Sequence, residues 1–101
     1  MELRKYRWSK AYESAEEELV ELLAAKKIVA LRWAAEEDAI LPEQIHPQGT
    51  QLWCAEGQFM VTVDDKMFSM QPGDVMDIPA NMPYFIAVRF GGCVCYQSAT
   101  D

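Results

Sequence analysis

The apolar positions of this chain change their period once, near residue 27. Upstream, Ala15, Leu19, Leu22 and Leu23 recur at helical spacing and form one stripe, which Tyr12 extends if the helix begins nearer Ser9. Ser14 followed by Glu17 makes a capping box, and acidic residues crowd the first turn while Lys26 and Lys27 crowd the last, as the helix dipole favours. Residues 14–27 therefore predict an amphipathic helix that lies on something larger and turns its charges to water.

Downstream the period is two. Residues 28–33 form a β-rich run with Val29, Leu31 and Trp33 on one side and Ala30 and Arg32 on the other. Pro42, Pro47 and Gly49 punctuate what reads as a loop region, and residues 51–55 read as a strand ending in a turn at Glu56-Gly57. Residues 59–63 and 67–70 flank Asp64-Asp65-Lys66 as a hairpin. Residues 75–78, 84–90 and 93–97 complete the set, with Gly91-Gly92 as another hairpin turn. Short strands at regular spacing, with turn chemistry between them and no internal repeat, predict an all-β sandwich or barrel carrying one N-terminal helix. The natural division is a helical extension over residues 1–27 and a barrel over residues 28–101, within one structural domain.

Composition narrows the function classes. The chain has 101 residues, half of them apolar, which is enough for one core without staples. A formal charge of −7 with no basic stripe argues against nucleic acid as a partner. No apolar run approaches the ~20 residues of a membrane span and the start lacks a signal-peptide core, so the expectation is a soluble, cytoplasmic protein. Three cysteines leave an odd one in any pairing, in keeping with a reducing compartment. Cys93 and Cys95 share one strand face about 7 Å apart, too far for an unstrained bridge, and read as free thiols filling a core.

The spacing of Gly73, Pro79, Asn81 and Tyr84 resembles the second signature motif of the cupin superfamily, which runs Gly, five residues, Pro, one residue, Gly, two residues, His, three residues, Asn. Val88 falls on that final Asn. The first cupin motif, His, one residue, His, three residues, Glu, six residues, Gly, falls with matching spacing on Gln44, His46, Thr50 and Gly57. The likeness spans residues 28–97. It implies a jelly-roll barrel, the RmlC-like double-stranded β-helix, in a small single-domain cupin that is commonly a homodimer. The helix and the strand over residues 28–33 would be available to cover a partner's edge.

The same likeness implies a barrel site at Gln44, His46, Thr50 and Tyr84, where a typical cupin holds iron, manganese, nickel, copper or zinc with three histidines and a glutamate. Here only His46 is a standard ligand, and it is the sole histidine. Tyr84 could ligate only as phenolate, against an ordinary pKa near ~10. No tightly bound metal is expected. A divalent transition metal, if present, would rest on His46 with Gln44 or Tyr84, or be rescued by Cys54, Cys93 or Cys95.

Each of these residues also has a plainer reading. His46 is a pocket base or a loop histidine between Ile45 and Pro47, and Tyr84 offers its hydroxyl to a ligand or fills the space of a lost ion. Gln44 and Thr50 suit a neutral ligand and equally suit surface loops. Trp33 and Trp53 read as core, the many methionines as an adaptable interior, and Asp74 and Asp77 as caps facing solvent. The reading favoured by the residues is a metal-independent protein binding a small, mostly apolar molecule in the barrel. The alternative is a small oxygenase-, isomerase- or epimerase-type enzyme whose acid/base pair is His46 with Tyr84, possible with a divalent metal.

Overall fold

A computed structural model describes residues 2–9 and 16–100 of the chain. Its elements are β1 (Arg4–Arg7), α1 (Glu16–Ala25), β2 (Leu31–Ala35), β3 (Ile40–Gln44), β4 (Gly49–Val63), β5 (Lys66–Met70), β6 (Asp74–Ile78) and β7 (Tyr84–Thr100). All pairings are antiparallel, in the order β1-β6-β4-β7-β2, with β3 added to β7 and β5 to β4.

Two long strands make this one curled sheet into a jelly roll. The first part of β4 pairs β6 through residues 50–53, and its last part pairs β5 through residues 59–63. Likewise β7 meets β3 near its start and β2 through residues 93–97. Each long strand thus belongs to two facing sheets and bends between them, which closes the barrel as short strands cannot. The bend in β4 is a pair of bulges, between Cys54 and Glu56 and between Gly57 and Phe59. Glu56-Gly57 is therefore a kink inside a strand, where the local pattern reads as a turn.

Gly91-Gly92 is corrected in the same way. Both adopt positive φ, yet they sit within β7 rather than between two hairpin strands. The strand leaves β4 after Val88 and rejoins it at Cys93. The region around Pro42 is corrected too, since it is the strand β3 and not a loop. Pro42 lies at a register shift between Leu41 and Gln44 of a strand paired on one side, where its missing N–H breaks little of the ladder.

Strand alternation divides the apolar residues into two cores. Leu52, Cys54, Phe59, Val61, Met70, Met76, Ile78, Tyr84, Ile86 and Cys95 fill the barrel interior. Trp53, Ala55, Val75 and Val94 face outward and are covered by Leu19 and Leu23 of α1. Trp33 packs against the inner core beside Phe59, and Trp53 belongs to the outer one. The predicted stripe is realised at Leu19, Leu22 and Leu23, while Ser14, Ala15 and Tyr12 lie outside the described residues.

The helix ends at Ala25, so Lys26 and Lys27 follow it rather than occupying its last turn. Lys27 takes a left-handed φ of 57°, Lys27 N–H bonds the Ala24 carbonyl and Ile28 N–H bonds that of Leu23. These are the two bonds of a Schellman stop, sealed by the apolar pair Leu23 and Ile28 in the outer core. At the other end Glu16 accepts hydrogen bonds from Arg32 Nε (2.6 Å) and Tyr96 Oη, which ties α1 to β2 and β7.

The N-terminal segment contributes a strand as well as a helix. β1 adds to the edge of β6 and sets Arg4 and Arg7 against Asp77 and Asp74. Both aspartates are buried, not solvent-facing as their sequence context suggests. Asp74 does cap the turn before β6, accepting Gln71 N–H at 2.9 Å, but Arg7 Nη1 closes over it at 3.0 Å. A buried carboxylate needs such partners, and β1 supplies them. No helix among the described residues is long and apolar enough to cross a membrane.

Candidate functional site

Tyr84 opens β7 with its side chain inward, continuing the alternation of Ile86 and Val88. Gln44 is its cross-strand partner on β3. Tyr84 Oη donates to Gln44 Oε1 at 3.3 Å and lies 2.9 Å from His46 Nε2. With the Tyr84 proton on Gln44, His46 Nε2–H is the donor to Tyr84, and Nδ1 is left as the imidazole's acceptor. The two rings lie 5.7 Å apart and tilted by 45°.

The second-motif turn holds this arrangement from outside. Asn81 adopts φ 61°, the left-handed conformation for which asparagine is suited among non-glycine residues, and its N–H donates to the His46 carbonyl at 2.7 Å. The residue at the motif's glycine position therefore takes a left-handed backbone, which glycine would adopt without steric cost. It also anchors the segment carrying the histidine.

Three of the four sequence-predicted residues thus form one hydrogen-bonded chain, Gln44–Tyr84–His46. Thr50 is placed differently. It is buried at the start of β4 with the inward parity of Leu52 and Cys54, and it joins His46 in lining a cavity of about 270 Å³ at the mouth of the barrel. Leu31, Gln97 and Ala99 line that cavity too. Gln97 Oε1 accepts from Trp33 Nε1 at 3.2 Å, so its amide is oriented. The sequence reading missed Gln97 and Leu31 as site residues. The signal for Gln97 was present in the alternation Cys93, Cys95, Gln97, which puts all three on one face.

Tyr84 is only 1% exposed, and burial, with Cys95 nearby, pushes its hydroxyl up to about 12. It is a neutral hydrogen-bonding group near pH 7. Burial likewise pushes Cys54 up to about 12 and raises Cys93 and Cys95. All three cysteines are free and buried, and held as thiols they are poor nucleophiles and poor ligands.

The donor set does not fit a cupin metal. His46 Nε2 is engaged by Tyr84, Tyr84 resists ionisation, and Gln44 and Thr50 are weak neutral donors. Among the described residues no three His, Cys, Asp or Glu side chains converge as a ligand group, so the thiols do not complete the set.

The ionisation of Tyr84 has a measurable consequence. A phenol whose folded pKa exceeds its unfolded value contributes stability that is fully present below about pH 10 and is lost as pH rises toward about 12. Chemical denaturation across that window should show a loss for the wild type that is smaller in Tyr84→Phe. Equal losses would mean that the hydroxyl is not held in its neutral form.

No protein-family model and no curated protein matches the sequence. Solved structures do match the architecture. A cupin superfamily protein from Desulfitobacterium hafniense superposes with a TM-score of 0.67 at 16% identity, over 99% of this chain and 79% of that one. The fold is the cupin fold. An RmlC-like cupin from Shewanella frigidimarina matches at TM-score 0.63 and 19% identity, over 73% of this chain and 67% of its own. A DUF861 family protein from Thermotoga maritima matches at 0.65 and 17%, over 98% of this chain and all of that one. At these identities the likeness is one of cupin architecture, and cupin architecture hosts many chemistries.

Proposed function

We propose that this cupin-fold protein binds a small, mostly apolar molecule bearing one polar group at the mouth of its barrel, without a tightly bound metal. The observation that supports this reading is the cavity of about 270 Å³ that His46 shares with Thr50, Gln97 and the apolar Leu31 and Ala99. Tyr84 and Gln44 act behind it, orienting the imidazole. A ligand hydroxyl or N–H would meet the acceptor nitrogen of His46, and its apolar body would cover Leu31.

The barrel interior is filled by Leu52, Phe59, Met76 and Ile86, so the ligand belongs at the mouth rather than deep inside. The cavity lies just under the ~300 Å³ at which pockets for drug-sized ligands begin, which favours a compact molecule. A neutral, buried Tyr84 is a positioning group and no base, so proton-transfer chemistry gains no support from it.

Because His46 is the only histidine, one imidazole signal in a carbon–proton correlation spectrum reports the site without assignment. A screen of small alcohols, phenols and amides should yield fragments that shift this signal saturably, and Ala99→Trp should block them by filling the cavity. The reading fails if no fragment moves the signal at millimolar concentration, or if Ala99→Trp binds as well as the wild type. The metal-free part fails if protein purified without chelator carries one transition metal per chain that is lost in His46→Ala.

A further inference from the structure

The three cysteines come together inside the barrel, on the inward faces of β4 and β7. Cys54 and Cys95 are fully buried and stand directly opposite each other in the antiparallel register. Opposed residues of such a pair have Cα atoms about 4.5–5.5 Å apart, inside the span of about 4.4–6.8 Å that disulfides occupy. Cys93 is placed differently. Its cross-strand partner is Gly57, and it lies two residues from Cys95 and diagonal to Cys54. Neighbours of those two kinds are about 7 Å apart or more, beyond that span. Of the three pairings the sequence allows, register offers one.

The backbone beside this pair is able to yield. The β4–β7 ladder is interrupted next to Cys54, where the bulge to Glu56 begins, and Cys54 Sγ reaches the Gly57 carbonyl there at 3.5 Å. Local opening reaches an interrupted ladder before a continuous one. Opposed Cβ atoms are about 5 Å apart and a disulfide needs about 4 Å, so closing the bridge draws the strands together. The product is strained, and a strained bridge is readily reduced.

We propose that Cys54 and Cys95 are the site of a reversible disulfide, formed by hydrogen peroxide, that clamps β4 to β7 beside the candidate site. The Cys54 sulfur attacks peroxide, which breaks the O–O bond, leaves Cys54 as a sulfenic acid and releases one water. The Cys95 sulfur then attacks that of Cys54, which forms the S–S bond and releases a second water. Two thiols thus lose two electrons and two protons to one peroxide. Burial holds both thiols neutral, which makes this a slow response to sustained peroxide. The clamp is felt at the site through β7. Cys95 lies near enough to Tyr84 to hinder its ionisation, and Gln97, the next inward residue, lines the cavity of His46.

Millimolar peroxide applied to the folded chain for hours, then alkylation in denaturant, tests the site. The wild type should lose two of its three free thiols and about 2 Da, and peptide mapping should join Cys54 to Cys95. Dithiothreitol without denaturant should restore all three thiols. Cys93→Ala should bridge as the wild type does, and Cys95→Ala should form no bridge. The peptide map needs no variant, so a misfolded Cys95→Ala leaves the test intact. The His46 imidazole signal should move in the bridged protein and return on reduction. Neither readout uses a ligand, so the outcome is independent of the fragment screen. A wild type that keeps three thiols, adds oxygen at sulfur without bridging, or joins Cys93 overturns the proposal. A His46 signal indifferent to the bridge overturns its coupling to the site.

Discussion

Gly57→Ala is expected to lose about 4 kcal/mol of stability, a large share of what a chain of this size possesses. Two penalties add. Gly57 has φ 73°, where a side chain costs about 1–2 kcal/mol. Its added Cβ would also stand 2.1 Å from the Gly92 carbonyl oxygen and 2.9 Å from Cys93 Cα. Both are backbone atoms of β7 at the point where it rejoins β4, so neither can move without opening the pairing that closes the barrel. Gly91→Ala is the control. Its φ is 74°, but nothing lies within 4 Å of the added carbon, and the expected loss is about 1 kcal/mol from backbone conformation alone. Urea denaturation of the two variants measures the difference. Equal losses would show that close approach of β4 and β7 is not what requires Gly57.

Asp77→Ala is expected to cost about 3 kcal/mol and to release β1 from the sheet. Asp77 is 4% exposed and is the hub of a polar network on the outer face. Its Oδ1 accepts from Tyr6 Oη and Gln51 Nε2, both at 3.0 Å, and its Oδ2 from Arg4 Nε at 2.9 Å. Gln51 Oε1 in turn accepts from Ser98 Oγ, and Ser98 Oγ from Trp53 Nε1. Truncation leaves the Gln51 amide and the Tyr6 hydroxyl without their carboxylate. The exposed Arg4 guanidinium simply turns to water, so Asp77→Asn, which keeps the Oδ1 acceptor, should cost much less. Amide exchange at residues 4–7 should speed up in Asp77→Ala before the rest of the barrel responds. A loss under about 1 kcal/mol with unchanged protection would mean that β1 is held by its ladder alone.

Both predictions turn on features that were hidden in the sequence for the same reason. The Gly57 kink and the Gly91-Gly92 excursion carry ordinary turn chemistry, and a local pattern cannot tell a turn that ends a strand from a bulge inside one. The distinction lies in the partner strand. Gly57 pairs with Cys93, far along the chain, and β4 and β7 each continue because the other continues beside them. Asp77 reads as a surface residue because its acceptor role depends on Arg4 and Tyr6, more than seventy residues upstream.

The candidate site divides along the same line. The spacing of Gly73, Pro79, Asn81 and Tyr84, and that of Gln44, His46, Thr50 and Gly57, was enough to indicate the cupin barrel and to bring Gln44, His46 and Tyr84 within one hydrogen-bonded chain. Those intervals encode backbone requirements, such as the left-handed turn at Asn81, which are local and therefore written in order along the chain. Alternation likewise determined which faces of β4 and β7 look inward, and the helical stripe determined that Leu19 and Leu23 are buried. Only the tertiary structure decided that Leu31 and Gln97 meet His46 and Thr50 around a cavity, and that Cys54 stands opposite Cys95. Those neighbourhoods depend on register between strands distant in sequence. Register is set by the sum of many packing contacts, and no single stretch of chain carries it.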